Sequence, residues 1–166
     1  MKILKEIKDK EFPSDESTLR HREASRAVLF DENGQIPLMF VSRHNYYKLP
    51  GGGIDEGESR EQALIREIKE EVGSEIEITG EIGQIIEHRS EYNLKQISYC
   101  YIGKIISKGT PSFTGKELSM GLEVVWLSLD EAIVRVKNQK FEDYEGSFIQ
   151  KRDSVLLKQA GRMSHG

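Results

Sequence analysis

A glycine-bounded, acid-rich segment from Gly52 to Ser74 constrains the fold of this chain more than any other feature. It reads GGIDEGESREQALIREIKEEVGS and places Glu67, Glu70 and Glu71 close together. Positions i, i+3 and i+4 share one face of a helix, so the three carboxylates predict a single acidic helix face. Like charges at these spacings destabilise an isolated helix. An oxygen-preferring divalent ion such as Mg²⁺ or Mn²⁺ would offset that repulsion.

Local signals predict that this helix begins after Ser59 and ends before Gly73. Ser59 and Gln62 form a capping-box pattern, and Gly73 suits a left-handed C-terminal cap. Between these ends an apolar stripe recurs at helical spacing: Leu64, Ile65, Ile68 and Val72. The helix can therefore pack on a core while its acids face a cleft.

An acidic helix face alone is weak evidence for a metal site, because glutamate is common on solvated helix surfaces. The ordered combination of features is more specific. A glycine turn at residues 51–53 comes first, followed by Glu58, Arg66 and then the acidic cluster. The glycines let a ligand approach the backbone closely.

This ordered segment resembles the Nudix box, G-x5-E-x7-R-E-U-x-E-E-x-G-U, in which U is a bulky aliphatic residue. One position departs from the pattern, since Ser74 stands where an aliphatic residue is expected. The departure bears on packing of the loop after the helix, where Ile76 or Ile78 could supply the apolar contact. The residues on fixed positions of the box are Gly52, Glu58, Arg66, Glu67, Ile68, Glu70, Glu71 and Gly73.

The resemblance implies an α/β fold of the Nudix type, an α/β/α sandwich with a mixed sheet. It implies hydrolysis of a diphosphate linkage in a nucleoside diphosphate derivative by attack of water at phosphorus. The substrate could be a nucleoside triphosphate, a dinucleoside polyphosphate or a nucleotide sugar. Carried over by position, Glu67, Glu70 and Glu71 would bind Mg²⁺ or Mn²⁺, with the carbonyl of Gly51 or Gly52 as a further ligand.

The same resemblance gives Glu58 and Arg66 a structural role, as a salt bridge that holds the loop to the helix. Nudix proteins are often dimers, so a homodimer is one possible assembly. The alternative to an enzyme is a nucleotide-sensing or scaffold domain that keeps the fold without turnover. The complete set of acids disfavours that alternative, since a binding module need not retain every metal ligand.

Hydrolysis also needs a base that takes a proton from water. Within the family this base is sometimes a glutamate of the box, here Glu67 or Glu71, and sometimes a glutamate on a later loop. The loop at residues 109–121 carries Glu117, which we favour because a loop can reach over the cleft. Glu123 is the second candidate. An exposed acid without a role is an equally good interpretation of Glu117.

Two residues outside the box are candidates for substrate binding. Arg43 follows a strand and precedes the glycine turn, so it could hold a phosphate, although a surface arginine is the equal alternative. Tyr92 lies near a tyrosine that accompanies some dinucleoside polyphosphate hydrolases of the family. A base could stack on it, but packing at the rim is the commoner role of such a residue.

Composition predicts one domain over residues 1–166, with a core at about 20–160 and a disordered tail from Gly161. Cys100 is the sole cysteine, so no intrachain disulfide can form. The net charge of −4 argues against a broad nucleic-acid-binding surface. Without an evident signal peptide or membrane-spanning run, we expect a cytoplasmic enzyme that acts on small nucleotides, with neither nucleic acid nor membrane as partner.

Alternating apolar residues and turn signals predict the remaining elements. The Asn33-Gly34 pair predicts a hairpin between the first two strands. The strands are expected at residues 24–30, 36–42, 46–49, 75–78, 81–89, 96–107 and 122–127, with helices from 129 and over 147–159.

Overall fold

The computed structural model describes residues 1–141 and 143–165. The strands are β1 Ile3–Lys8, β2 Arg20–Phe30, β3 Gln35–Val41, β4 Tyr46–Lys48, β5 Gly51–Gly53, β6 Glu75–Arg89, β7 Leu94–Ser107 and β8 Leu122–Ser128. The helices are α1 Arg60–Glu71, α2 Gly115–Ser119, α3 Leu129–Asn138 and α4 Tyr144–Ser164. Short 3₁₀ turns occur at Glu16–Thr18 and Ser90–Tyr92.

The strands form two sheets. The larger one has five strands in the order β1-β6-β7-β2-β5. It is mixed, because β1 runs parallel to β6 and β2 parallel to β7, whereas β6–β7 and β2–β5 are antiparallel. The smaller sheet is antiparallel, in the order β4-β3-β8. The predicted α/β class with a mixed sheet is therefore confirmed.

Helices pack on both faces of the five-stranded sheet. Successive residues of a strand point to opposite faces, and β2 shows this directly. Leu29 belongs to an apolar cluster with Leu64 and Ile68 of α1. Its neighbour Val28 belongs to a second cluster that contains residues of α3 and α4, among them Leu156. The sheet thus separates α1 from α4, which decides where the side chains of β2 can act.

Most predicted strands are present, with ends that shift by a few residues. The segments predicted at 75–78 and 81–89 are one strand, β6, whose pairing with β7 is interrupted by irregularities near Gly80 and Gly83. Three elements were not predicted: β1, the glycine strand β5 and the short helix α2. The glycines of β5 carry no side-chain pattern that would mark them as a strand.

The predicted hairpin at Asn33-Gly34 is wrong in one respect. The chain does turn there, since the amide of Asp31 donates to the carbonyl of Gln35 at 2.9 Å. However, β2 pairs with β5 and β7, while β3 pairs with β4 and β8. The turn therefore passes the chain from one sheet to the other, and an Asn-Gly signal reports the turn alone.

Two expectations about the ends of the chain also change. The tail predicted to be disordered from Gly161 is helical through Ser164, because α4 buries Leu156, Leu157 and Ala160 against the core. Residue 166 of that tail lies outside the described residues. The core predicted from about residue 20 omitted β1, whose alternating pattern is weak but which pairs with β6. In the described part of the chain, the helices are too short or too polar to cross a membrane.

Candidate functional site

Helix α1 begins and ends as its sequence predicts. The Ser59 hydroxyl accepts a hydrogen bond from the Gln62 amide at 3.1 Å, and the Gln62 side chain accepts one from the Ser59 amide at 2.9 Å. At the other end Gly73 has φ of +73° and donates to the Ile68 carbonyl at 3.0 Å. The apolar stripe is buried at Leu64, Ile68 and Val72, whereas Ile65, predicted to share it, is 53% exposed.

Glu67, Glu70 and Glu117 come together at the mouth of a cleft. One carboxylate oxygen from each lies within 4.8 Å of the other two. Glu117 is on α2, a single helical turn inside the segment that the sequence suggested would be a loop. We call these three residues the acid cluster. Glu123, the second candidate for the base, is exposed on β8 and is not among the residues that line the cleft.

Glu71 lies deeper than the acid cluster. It is 1% exposed, and its Oε1 accepts a hydrogen bond from the amide of Gly51 at 2.9 Å. Burial raises the pKa of Glu71 to about 7, although Lys48 and the Gly51 amide act in the opposite direction. Burial also raises the pKa of Glu67. Negative charge is therefore concentrated where little water can stabilise it, and a cation would relieve this.

Arg66 ties the helix to the segment before it. Its Nε and Nη2 donate to the two oxygens of Glu58 at 2.8 and 2.9 Å, which forms the expected salt bridge. Nη2 also donates to the carbonyl of Gly53, and Nη1 to Oε1 of Glu67, both at 3.0 Å. Hydrogen bonds from Arg66 and from the Asp55 amide hold the pKa of Glu58 at about 2. Arg66 thus fixes the orientation of Glu67 in the acid cluster.

The glycine strand β5 makes room for this arrangement. Gly51 has φ of +137°, and a Cβ there would collide with the carbonyl of Ser25. A Cβ on Gly52 would come within 2.5 Å of the Glu67 carboxylate. The acid cluster offers only carboxylate oxygens, which suit a hard divalent ion, and the bare strand leaves space beside them. The residues present therefore fit the divalent metal that the sequence resemblance implies.

The cleft beside the acid cluster has a volume of about 920 Å³. Basic residues line it as well, and no sequence motif groups them together. They come from strands and a helix far apart in the chain, so no local spacing marks them. They include Arg22 and Arg26 on β2, Lys48 on β4, Arg89 on β6 and Arg152 on α4.

The two predicted substrate-binding residues have different surroundings. Tyr92 lines the cleft, and its ring contacts Tyr144 edge-on with centroids 5.1 Å apart. Arg43 is exposed and donates to the carbonyl of Ser119 at 3.4 Å, and it is not among the cleft-lining residues. The geometry is thus compatible with substrate contact at Tyr92 and places Arg43 beyond the cleft.

Two RNA pyrophosphohydrolases are similar to part of this chain. An RNA pyrophosphohydrolase from Campylobacter jejuni subsp. doylei is 36% identical over 103 residues, which are 61% of this chain and 57% of that protein. An RNA pyrophosphohydrolase from Wolbachia pipientis is 37% identical over 84 residues, 46% of this chain and 48% of that protein. The chain spans about half the length of the curated relatives it matches.

Solved structures with the same fold match more of the chain. A MutT protein from Methanosarcina mazei Go1 has a TM-score of 0.63 and 18% identity, and the match covers 89% of this chain and 98% of that one. A NUDIX hydrolase from Nitrosomonas europaea has a TM-score of 0.61 and 19% identity, with 86% and 90% covered. The family model described as the NUDIX domain matches residues 20–151, well over half of the sequence. The chain therefore belongs to the Nudix family.

Proposed function

We propose that this protein is a divalent-metal-dependent pyrophosphohydrolase that cleaves a diphosphate linkage in a nucleoside diphosphate derivative. The observation that carries the proposal is the acid cluster, in which Glu67, Glu70 and Glu117 converge within 4.8 Å beside the glycine strand. The names of the Campylobacter and Wolbachia relatives support the same class of reaction.

In this proposal Glu67 and Glu70 would hold the metal, Mg²⁺ in preference to Mn²⁺, and Glu71 or the backbone carbonyl of Gly51 would complete the set of ligands. The bound ion would neutralise phosphate oxygens and lower the pKa of water. Arg66 keeps Glu67 in place through their 3.0 Å contact. The glycine strand lets the diphosphate approach without a side chain in the way.

The proton from water would go to a carboxylate of this site, and we assign it to Glu117. Its Oε1 accepts a hydrogen bond from the Thr114 amide at 2.8 Å, which orients the group and leaves Oε2 to accept the proton. Glu71 is the alternative base. Its Oε1 is held by Gly51, and its burial makes the protonated form accessible near neutral pH.

Nucleoside triphosphates, dinucleoside polyphosphates and nucleotide sugars remain candidate substrates. Because two relatives are named RNA pyrophosphohydrolases, RNA with a 5′-triphosphate joins them, and the expectation of no nucleic-acid partner is not kept. Tyr92 at the edge of the cleft would contact the nucleoside part. A cytoplasmic location and a homodimer remain parts of the proposal that rest on the sequence alone.

The test is a panel of these substrates, assayed with and without Mg²⁺ for release of phosphate or pyrophosphate. We expect metal-dependent release from at least one substrate. The Glu70→Gln variant should lower that release by about 100-fold or more, because it removes a ligand from the acid cluster. Glu56→Gln is the matched control, since Glu56 is exposed in the preceding loop and does not line the cleft.

Undiminished release in Glu70→Gln would contradict the assignment of the metal site. If no substrate is cleaved although nucleotides and Mg²⁺ bind, the protein is instead a sensing or scaffold domain. Circular dichroism of both variants shows whether the fold is intact, so a loss of activity can be attributed to the site.

A further inference from the structure

Three buried arginines, Arg26, Arg89 and Arg152, lie at the base of the cleft, and we call them the arginine floor. They are 5%, 6% and 1% exposed, yet all three line the cleft. Arginines this deeply buried are uncommon unless an anion pairs with them. Arg22 and Lys48 line the same cleft from less buried positions.

The arginine floor and the acid cluster lie on opposite faces of the sheet at its edge strand β5, which consists of glycines. Ser25 points toward α1, because its hydroxyl donates to the Arg60 carbonyl at 2.7 Å. Its neighbour Arg26 therefore points to the other face of the sheet. Residues 24–26 pair with the glycine strand β5 at the edge. Since β5 has no side chains, one extended ligand can reach both the acids and the arginines across it.

The carboxylates beside the arginine floor are already occupied. Oε1 of Glu87 accepts from Arg89 Nε at 3.2 Å and from Nη2 at 2.8 Å. Its Oε2 accepts from the Gln96 side chain at 2.9 Å and lies 3.6 Å from Arg152 Nη1. Asp153 accepts from Arg152 Nε at 2.8 Å and from the Leu49 amide at 2.9 Å. Both carboxylates are fully buried.

Two further acids that line the cleft, Asp143 and Glu145, lie at the start of α4. Asp143 accepts a hydrogen bond from the Gly146 amide at 2.8 Å as the cap of α4, and it lies 3.4 Å from His44. Glu145 lies in the first turn of the same helix, and burial together with the charge of Glu145 raises the pKa of Tyr92. Within the described residues, neither carboxylate forms a salt bridge with an arginine of the floor.

Two arginines of the floor are left short of acceptors. Within residues 1–141 and 143–165, Nη2 of Arg152 is buried and has no hydrogen-bond partner. Arg26 makes its hydrogen bond to the Ser98 hydroxyl, at 3.2 Å from Nε, and forms no salt bridge with a described residue. Burial lowers the pKa of Arg26 to about 9, and the charge of Arg152 adds to this. An uncompensated buried cation is costly, so an anion is the group that this place lacks.

We propose that the arginine floor binds the terminal phosphate of the substrate, which enters the cleft with its phosphate end first while the nucleoside stays at the rim near Tyr92. A terminal phosphate carries more charge than a bridging one and offers several oxygens to the forked guanidinium groups. The proposal rests on the proposed function and narrows its substrate class. It favours nucleoside triphosphates and 5′-triphosphorylated RNA over nucleotide sugars, in which the second phosphate is esterified to the sugar and is not terminal.

The first test measures binding without turnover. Calorimetry with inorganic pyrophosphate in EDTA reports binding by the basic residues of the cleft, because the acid cluster repels the anion when no metal is present. We expect the wild type to bind pyrophosphate and Arg26→Gln to bind it at least about tenfold more weakly, since one charge-assisted contact is lost. Arg162→Gln is the matched control, because Arg162 is exposed on α4 outside this cleft.

Arg26→Lys keeps the charge and loses the fork, so it remains informative if Arg26→Gln does not fold. It should bind pyrophosphate with an affinity between those of the wild type and Arg26→Gln. Equal affinity in the wild type and in a folded Arg26 variant would overturn the proposal, as would the absence of pyrophosphate binding to the wild type.

The second test compares two substrates by kcat/KM. In Arg26→Gln the value for a nucleoside triphosphate should fall at least about tenfold, mostly through KM, while that for a nucleotide sugar stays within about twofold. Equal losses for both substrates would overturn the proposal. If Glu70→Gln abolishes turnover and Arg26→Gln changes nothing, the function stands and the arginine floor does not. If pyrophosphate binding depends on Arg26 but no substrate is turned over, the arginine floor stands and the proposed function does not.

Discussion

The acid cluster and the arginine floor are assembled from the chain in different ways. The acid cluster takes two of its three glutamates from one helical turn, and its side chains are partly open, with Glu67 12% and Glu70 28% exposed. The arginine floor takes one residue each from β2, β6 and α4, all buried. A contiguous motif is visible in a sequence, whereas a cluster assembled from distant strands and a helix appears only in the fold.

The ion pairs on the two sides should also differ in energy. Arg66 and Glu58, on the acidic side, are 30% and 20% exposed, so water screens their attraction. Glu87, on the basic side, is fully buried between Arg89 and Arg152. A buried pair contributes little net stability when intact, but loss of one partner leaves the other charge without compensation.

Replacement of Glu87 by glutamine should therefore have the largest effect on stability. It leaves Arg89 facing a neutral amide in a buried place and Arg152 with Asp153 as its charged partner, and we expect a loss of about 3–5 kcal/mol in the free energy of unfolding. Chemical denaturation monitored by circular dichroism measures it. Glu58→Gln on the acidic side is the matched variant, and its loss should be clearly smaller because solvent reaches that pair.

Comparable losses of stability in Glu87→Gln and Glu58→Gln would show that burial does not make the Glu87 pairs more sensitive than the solvent-screened Glu58 pair. A gain in stability for Glu87→Gln, together with weaker pyrophosphate binding, would mean that Glu87 positions the arginines for ligand binding and does not stabilise the fold.

Gly51→Ala changes β5, the strand between the acid cluster and the arginine floor, and should have the next largest effect on stability. The added Cβ meets the Ser25 carbonyl, and φ of +137° is strained for alanine, so we expect a loss of about 3 kcal/mol. Gly57→Ala is the control, since Gly57 has φ of +83° but nothing within 4 Å of a new Cβ. Its loss should be only about 1 kcal/mol.

Equal losses in the two glycine variants would show that backbone conformation alone matters at Gly51. The contact of β5 with β2 would then not be the feature that positions the acid cluster against the arginine floor.

The helix α1 and its site could be predicted because their information is local. Caps, the acidic face and the Glu58–Arg66 spacing all lie within one segment of the chain, and the structure contains each of them. The resemblance makes Glu117 a candidate, and the structure places it beside Glu67. The strands were found from alternation, with errors at their ends.

The rest depends on contacts between distant segments. Arg26 and Arg152 are 126 positions apart, and each looks like an ordinary arginine until β2 and α4 pack around Glu87. The pairing of β1 with β6 and the division of β2 and β3 between two sheets have the same character. Sequence periodicity gives the face of a strand but not its neighbour.

Ser74 is the position where the acidic segment departs from the Nudix box, and it gives the smallest expected effect. It is 2% exposed, and within the described residues its hydroxyl has no hydrogen-bond partner. A buried hydroxyl without a partner loses its hydration on folding, so Ser74→Ala should stabilise the protein by about 1 kcal/mol.

Ser112→Ala is the control, because Ser112 is exposed and bonds to the Glu70 carbonyl through its backbone amide at 2.8 Å, which alanine keeps. Its stability should stay within about 0.5 kcal/mol of the wild type. A loss in Ser74→Ala would mean that the hydroxyl is satisfied by a buried water. Ile76 and Ile78 already pack against the α1 side of the core. A gain in Ser74→Ala would show that the buried hydroxyl is unsatisfied, as its surroundings in the structure indicate.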